Sequence, residues 1–409
     1  MTLNMAATLS LLSLLMTPPS ARSAALSVEG QLSSGLEIND NYQLSPVSKG
    51  TVNTLSLAGH LQAARRTENA QTEFELGLIG LALQGPDVQN RVDARLVASH
   101  SVNDALNLWR VGAEFEQDDT FDTLLGTADL TLGRLRRQTG RARAEWSHAL
   151  SERSTAQTRL TLSKTTYDQT ASGAVDYRDA AVSAGGSYRL SEYDTLDLTL
   201  AASGYRAADG STTARTGSVG ASWSRVLSER SIATLALGRF RSRTEAQQQV
   251  LACPVPVSFC ESGQVAYEVA VARGESSGNG WLYSAQFEHQ ASERTKILAS
   301  AQRQVAPSGV GSVVLSDTAK ATLNRALSPT LQASADVALS SSRYPDSAGG
   351  RRPRFSNLRL GLSRALAGNL KLDAFVATGG VSDGSAATAR SNRAGVALNY
   401  SLPSFDARR

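Results

Sequence analysis

The chain is poor in lysine and, beyond its first residues, has no apolar run near the roughly 20 residues of a membrane-spanning helix. Its 41 basic residues include only five lysines, namely Lys49, Lys164, Lys296, Lys320 and Lys371. A net charge of +4 is not the basic surplus typical of nucleic-acid binding, so no nucleic-acid partner is predicted. The preference for arginine indicates fixed, bidentate contacts rather than a solvated basic coat.

Cysteine is also scarce. Cys253 and Cys260 are the two cysteines, and they lie in ACPVPVSFCESG with no histidine nearby. Two thiols alone do not supply a zinc site, so no metal is predicted. In an oxidising compartment the pair predicts a disulfide that closes a small loop.

Motifs for catalysis are few. The four histidines are scattered, and one G-x-S-x-G match, Gly274–Gly278, runs into Asn279-Gly280-Trp281. A nucleophile elbow needs a strand before it and a helix after it. We therefore predict a flexible loop at this position, no enzymatic activity and no cofactor.

The N-terminus resembles an export signal. It reads MTLNMAATLSLLSLLMTPPSARSAALS, with an apolar run from Met5 to Met16, then prolines and small residues. Ser23 and Ala25 would fit the small-residue cleavage rule, although the run lacks a preceding Lys or Arg. We predict a signal peptide over 1–25, with a buried helix as the alternative, and a single domain over 26–409 without a plug or passenger domain.

Apolar and polar residues alternate along most of the chain. In TAQTRLTLS, for example, Ala156, Leu160 and Leu162 share one face while Gln157 and Arg159 share the other. This period of two is the signature of β-strands. We predict eighteen strands, with 16 to 20 as the range, near 26–38, 52–64, 69–82, 90–100, 104–117, 139–150, 154–168, 178–190, 194–206, 215–227, 231–244, 280–291, 294–305, 314–327, 330–343, 354–366, 369–380 and 391–402.

Two kinds of connection alternate between these strands. Short polar turns such as Ser151-Glu152-Arg153 and Ser228-Glu229-Arg230 recur, and longer Gly- and Ser-rich loops such as RAADGSTTAR separate them. Propellers and solenoids also repeat, but propeller blades have shorter strands and signatures that are missing here. Long alternating strands between short turns and long loops predict an all-β, antiparallel up-and-down barrel in the bacterial outer membrane, with periplasmic turns and extracellular loops.

Charged residues occupy the polar face of many strands. If the apolar face meets lipid, the inward residues are Arg91, Asp93, Arg95, Arg110, Glu114, Glu116, Arg141, Arg143, Glu145, Arg159, Asp197, Lys320, Asp336, Arg359, Lys371, Asp373 and Arg393. Two interpretations remain open. The arginines either brace the barrel through ion pairs with carboxylates, or they guide an anionic chain through the lumen.

A further arginine row and one long loop complete the predicted pore. Arg239, Arg241 and Arg243 share a face near the outer rim and are predicted to line the lumen. The loop 246–262 is the first candidate for a segment that folds inward. Aromatic residues near strand ends, among them Trp109, Trp146, Trp223, Trp281, Tyr188, Tyr205 and Tyr400, are expected to form interfacial girdles, or to reflect strand propensity.

The turns and one later segment resemble a known family. The LSER turns and Val305–Asp317, VAPSGVGSVVLSD, resemble the exopolysaccharide-operon (EpsL-like) outer-membrane barrels that accompany exosortase/PEP-CTERM systems. The resemblance implies a surface barrel tied to exopolysaccharide biosynthesis or export. The barrel itself implies outer-membrane lipid and the barrel-assembly machinery as partners, and the resemblance adds polysaccharide and periplasmic export proteins. The chain ends in PSFDARR, so Phe405 is a candidate for the residue that the assembly machinery reads.

The expected function follows from the lumen. We expect a role in exopolysaccharide export or biosynthesis, by passage or surface organisation of the polymer, with the arginine-bearing lumen as the conduit that guides an anionic chain. The alternatives are a general small-solute porin and a structural or adhesive surface barrel with a closed lumen.

Overall fold

The computed structural model describes residues 25–120, 135–168, 174–252, 268–309, 311–343, 354–382 and 388–408. Cys253, Cys260 and nearly all of the expected signal peptide lie outside these residues. The disulfide and the cleavage site therefore stay predictions.

Long antiparallel strands make up almost all of the described chain. Eighteen of them form the wall, as predicted: β1 Ala25–Asn39, β2 Val52–Arg66, β3 Ala70–Gln84, β4 Arg91–Asn103, β5 Asn107–Asp119, β6 Arg136–Ala149, β7 Ser154–Tyr167, β8 Tyr177–Arg189, β9 Asp194–Ala207, β10 Thr212–Ser228, β11 Ser231–Ala252, β12 Glu268–Ser292, β13 Thr295–Ser308, β14 Ser312–Ser328, β15 Leu331–Arg343, β16 Arg354–Ala367, β17 Leu370–Ser382 and β18 Thr388–Ser401.

Each strand pairs with the next one along the chain, and β18 pairs with β1 to close the barrel. A short nineteenth strand, β19 Phe405–Arg408, continues beyond β18 and pairs with Ala25–Val28 of β1. Closure leaves the sheet without a free edge in the wall, which is what a membrane-spanning sheet requires. Among the described residues, no helix is long and apolar enough to cross a membrane.

The outer face is an apolar belt. Directly paired residues on antiparallel strands point to the same side of the sheet, so paired apolar residues can be followed around the wall. Leu36 pairs with Leu55 and Leu55 with Ala82, and leucines such as Leu57 and Leu200 are about two-thirds exposed. An apolar surface this wide is stable only against lipid, because exposing it to water would cost free energy in proportion to its area.

A serine recurs in five of the short turns, at 151, 191, 228, 292 and 328, and caps each of them. The Oγ of Ser151 accepts hydrogen bonds from the backbone N–H groups of Arg153 and Ser154, at 3.2 and 3.0 Å. Ser228 accepts one from Arg230 in the same way, at 3.3 Å, and Ser292 one from Arg294. A serine side chain that bonds the backbone two residues on replaces part of the turn's own hydrogen bonding. The repeated SER triplet is thus a turn device and not a functional motif.

One short turn uses aspartate instead. The backbone N–H groups of Leu106 and Asn107 donate to Oδ1 of Asp104, at 2.9 and 2.7 Å. These bonds favour the ionised form, the Leu106 bond most, and hold the pKa of the Asp104 carboxyl below its ordinary value. The turn between β4 and β5 is therefore best capped when Asp104 is ionised.

Aromatic rings mark the two edges of the belt. Trp109 and Trp146 lie on the outer face near the short turns, with ring centroids 5.8 Å apart. Trp281 lies on the outer face towards the long loops. Tyr205 departs from the expected girdle, because it points inward and is only 5% exposed.

Two parts of the chain differ from the predicted secondary structure. β11 and β12 extend well beyond the predicted 231–244 and 280–291. The loop predicted at Gly274–Gly278 is wrong, because these residues pair with Ala246–Ser242 within the β11–β12 ladder. Strand pairing satisfies their backbone groups, and no helix follows the serine, so the nucleophile-elbow geometry is absent from this segment.

Candidate functional site: the barrel lumen

The inner face carries the charged residues. The register places Arg91, Asp93, Arg95, Arg110, Glu114, Glu116, Arg141, Arg143, Glu145, Arg159, Asp197, Lys320, Asp336, Arg359, Lys371, Asp373 and Arg393 on the face opposite the apolar belt. This placement is the one that avoids charged side chains in hydrocarbon, where an Arg or Lys costs about 2–4 kcal/mol at mid-depth.

Arg239, Arg241 and Arg243 do not line the lumen, so this part of the prediction is wrong. Arg239 pairs directly with Val219 of β10 and Trp281 of β12, and it has the same parity as the outward Leu237. The three arginines therefore continue the outer face of β11 and are exposed there. The prediction failed because these residues lie beyond the apolar belt, where a charged side chain can face outward at little cost.

Most arginines of β4, β5, β6 and β7 are neutralised by carboxylates on neighbouring strands. Glu114 lies at the centre of one group, with Arg141 at 3.0 Å and Arg95 and Arg143 each at 3.4 Å. Arg95 also reaches Glu75 at 3.1 Å. One carboxylate thus joins three strands, which supports bracing of this wall.

A second group surrounds Glu145. Arg159 lies 2.8 Å and Arg110 lies 3.5 Å from its carboxylate. Nearer the extracellular end, Arg137 forms a bidentate pair with Asp118, at 3.1 and 2.7 Å, and both side chains are buried. Bidentate geometry is the strongest form of this contact.

Arg91 belongs to the same wall. Its guanidinium bonds Asp119 at 2.7 Å and Asp93 at 3.2 Å, and it also donates to the Tyr42 hydroxyl. Its contacts tie β4 to β5 and to the loop after β1.

Cations of the opposite wall have different partners. Arg359 lies 3.7 Å over the ring of Phe375, and Arg393 donates to Oδ1 of Asn357 at 3.1 Å. In the described parts of the chain, no carboxylate lies within salt-bridge distance of Arg359, Arg393 or Lys320. Their positive charge is therefore less neutralised than that of the β4–β7 arginines.

Sequence reasoning missed several inward charges, most of them acidic. The register adds Glu29, Glu37, Glu73, Glu75, Asp118, Asp179 and Glu288, with Arg137 and Lys296. These residues lie on strands where the polar face was identifiable from alternation alone. With them included, and with the β11 arginines removed, the lumen has no surplus of arginine.

The tip of the hairpin formed by β13 and β14 leaves the wall and enters the lumen. β12 and β13 pair from Ser292–Thr295 up to Tyr283–Arg303 and no further, and β14 and β15 pair only as far as Leu315–Arg343. Beyond that point β13 and β14 pair with each other up to Ser308–Ser312. The hairpin tip instead contacts the inner face of the wall across the lumen.

The contacts of the tip are specific. The Tyr205 hydroxyl donates to the carbonyl of Ser308 at 3.3 Å, and the N–H of Val175 donates to the carbonyl of Gly309 at 2.7 Å. Val313 is 5% exposed and belongs to a buried cluster with the inward side chains Leu135, Tyr167, Tyr177, Tyr205, Ala207 and Ala214. The largest buried apolar cluster of the described chain therefore holds this hairpin in place.

Glycine is required at the tip. A Cβ atom at Gly309 would lie 2.5 Å from Cζ and 2.7 Å from Cε2 of Tyr167, whose ring is buried. Gly311 has a positive φ of 79°, a conformation that glycine adopts without strain. Both glycines lie in the segment VAPSGVGSVVLSD, so that segment is built to bring a hairpin tip against an aromatic wall.

A polar chamber lies along the other part of the lumen. It has a volume of about 620 Å³ and is lined by residues of β1–β5 and β18, including Glu37, His60, Glu75, Arg95 and Arg393. The tip contacts lie on β7–β10 and at Leu135, just before β6. The hairpin thus narrows the lumen from one side and leaves a charged chamber on the other.

Residues 246–252 of the loop that was expected to fold inward continue strand β11. Residues 253–262 lie outside the described residues, so their inward folding stays a prediction. Among the described residues, the hairpin at 304–316 is the segment that enters the lumen.

These features define the class of the protein. A closed antiparallel barrel of eighteen strands, with an apolar outer belt, aromatic rings at its edges and a charged interior, is a bacterial outer-membrane β-barrel.

Solved structures of similar overall topology include OccK2 (OpdF) of Pseudomonas aeruginosa, which is 12% identical, with 93% of this chain and 97% of that chain covered and a TM-score of 0.47. OccAB3 of Acinetobacter baumannii is 10% identical, with 93% and 99% covered and a TM-score of 0.48. The copper transporter OprC is 10% identical, with 94% and 84% covered and a TM-score of 0.48. At such low identities and scores, the likeness says nothing about what this barrel carries. No family model and no curated protein matches the chain.

Proposed function

We propose that the protein is a channel for small hydrophilic solutes, in which the β13–β14 hairpin sets the width of the passage. The observation that carries this proposal is the hairpin itself. It is held in the lumen by a buried cluster, yet it leaves a charged chamber beside it. A barrel that served only as a structural or adhesive surface protein would need neither a shaped constriction nor a polar path.

The lumen charges have two roles in this proposal. The arginines of β4–β7 brace the wall, because each one meets a carboxylate. Lys320, Arg359 and Arg393 contact passing solutes, since they face the lumen without such neutralisation in the described chain. We therefore expect weak rather than strong preference for anions.

Swelling of proteoliposomes tests the channel directly. Vesicles that contain the purified protein should swell in isotonic glucose and more slowly in a trisaccharide such as raffinose, because the hairpin restricts larger solutes. Vesicles that carry the same amount of heat-denatured protein are the control. Absence of swelling in every sugar would reject both the channel and its size limit, and would return the closed structural barrel as the better account.

We propose exopolysaccharide export as a second candidate function. The specific observation in its favour is that Val305–Asp317, which carries the resemblance to exopolysaccharide-operon barrels, is the hairpin in the lumen. An extended anionic chain could pass between the hairpin and Arg359 and Arg393. Polysaccharide and periplasmic export proteins would then be its partners.

Gene deletion separates the two candidates. Export predicts that polymer accumulates in the periplasm and disappears from the cell surface when the gene is deleted. A plasmid copy with the native hairpin should restore surface polymer. Unchanged surface polymer in the deletion strain would rule out export and leave the small-solute channel intact.

A further inference from the structure

We propose that the outer face of the barrel binds a phosphorylated lipid of the outer leaflet through a cationic patch at the extracellular ends of β7–β11. The patch consists of Lys164, Arg178, Arg206, Arg215, Arg239, Arg241 and Arg243. It lies on the side of the wall opposite the lumen, so the proposal does not depend on what the channel carries.

The register puts these cations next to one another. Lys164 pairs directly with Arg178, and Arg178 pairs directly with Arg206, so three cations stand side by side on β7, β8 and β9. Arg215 of β10 pairs directly with Arg243 of β11. Like charges placed directly opposite each other destabilise a sheet. An anion that bridges them would convert this repulsion into attraction.

Carboxylates of the protein do not supply that anion. Arg243 alone in the patch is bridged, by Glu275 at 2.7 Å and Glu245 at 3.9 Å. Within the described ranges, no acidic side chain lies within 4 Å of the charged groups of the other six, and all seven are exposed. The lumen arginines of β4–β7, by contrast, each have a carboxylate partner.

The depth of the patch matches lipid headgroups. On β7 and β11, the first cation follows directly after the last outward leucine, Lys164 after Leu162 and Arg239 after Leu237. The guanidinium of Arg239 lies 5.1 Å over the ring of Trp281. Amphipathic rings of this kind sit at the level of the headgroups, so the patch lies where phosphate groups of the outer leaflet are.

The residue type points to phosphate. Arginine offers a planar fork that bonds phosphate oxygens bidentately, and six of the seven cations are arginine. Basic clusters beside an apolar membrane surface are the general means of recognising anionic lipid headgroups. The occupant is therefore a lipid that carries phosphate at its headgroup and acyl chains along the apolar belt.

Binding of bisphosphorylated lipid A is the probe, measured by native mass spectrometry of the detergent-solubilised protein. The variant Arg178→Gln/Arg206→Gln/Arg215→Gln should bind lipid A at least about tenfold more weakly, because several charge-assisted hydrogen bonds are lost. The matched control is Arg354→Gln/Arg390→Gln. These two arginines also point outward, but Arg354 pairs with Ser341 and Ser382 and Arg390 with Gly380, so neither is directly paired with another cation. The control should bind lipid A as the native protein does.

Thermal unfolding without lipid gives a second readout. The patch variant should be as stable as the native protein or more stable, because the mutual repulsion of the arginines has been removed. Lipid A should raise the melting temperature of the native protein and not that of the patch variant. Equal binding by both variants, or stabilisation by inorganic phosphate as large as by lipid A, would overturn the proposal.

Discussion

Replacing Val305–Leu315 with an Asn-Gly turn should raise the single-channel conductance several-fold. Gln304 and Ser316 are directly paired, so a two-residue turn can join them and keep the rest of the β13–β14 ladder in register. The replacement removes the segment that reaches across the lumen to Tyr167 and Tyr205. Planar-bilayer recordings of the purified protein measure the effect.

Two further variants make this result interpretable. Replacing residues 383–387, which join the directly paired Ser382 and Thr388 of β17 and β18, with the same Asn-Gly turn shortens an extracellular connection and keeps its strands in register, and it should leave conductance unchanged. Gly309→Leu keeps the hairpin at full length but forces it away from the Tyr167 ring, and it should also raise conductance. Native conductance in both hairpin variants would show that the hairpin is not the constriction.

Loss of the Glu114 carboxylate should destabilise the barrel. The loss should be larger than for Glu145, the other carboxylate of the β4–β7 wall that pairs with partly exposed arginines. Glu114→Gln removes the partner of Arg95, Arg141 and Arg143 together. We expect the free energy of unfolding to fall by about 1.5–3 kcal/mol, the range for hydrogen bonds to charged groups. Urea unfolding in detergent micelles, followed by tryptophan fluorescence, measures the change.

Glu145→Gln is the matched control for that measurement. Glu145 also accepts two arginines, but its side chain is 28% exposed against 15% for Glu114, and Arg110 and Arg159 are more than half exposed. Water already screens these pairs, so the loss should stay below about 1 kcal/mol. Equal losses in the two variants would contradict a special bracing role for Glu114.

The strands were predictable because the membrane imposes a strict pattern on them. Every strand must present alternate residues to lipid, so the period of two persists along the whole wall. The segment predicted as 354–366, for example, is observed as Arg354–Ala367. Strand ends beyond the belt lose that constraint, which is why β11 and β12 are longer than predicted.

Whether a charged residue points into the lumen or outward was predictable from its charge only within the apolar belt. Arg239 has the same parity as Leu235 and Leu237, and following parity along β11 would have placed it outward. The rule that charges face the lumen fails at headgroup depth, where an outward arginine is favourable. Parity, and not charge, was the reliable signal at this position.

The inward hairpin could not be derived from alternation, since its strands alternate as the wall strands do. One local signal was present. Val313, Val314 and Leu315 are three consecutive apolar residues, and all are at most 5% exposed. A run that is apolar on both faces indicates a strand buried on both sides, which in a barrel means a strand inside the lumen. Which wall it meets depends on the register and on the tyrosines of β7–β9.

The constriction is formed by the ends of two wall strands, and this makes it rigid. The β13–β14 ladder runs without interruption from the periplasmic turn to the tip, so the hairpin has no linker about which to swing. Displacing it would require breaking the buried cluster that holds Val313. We expect a rigid aperture of constant bore, seen as one steady current level at moderate voltage, in place of the opening and closing steps of a hinged gate.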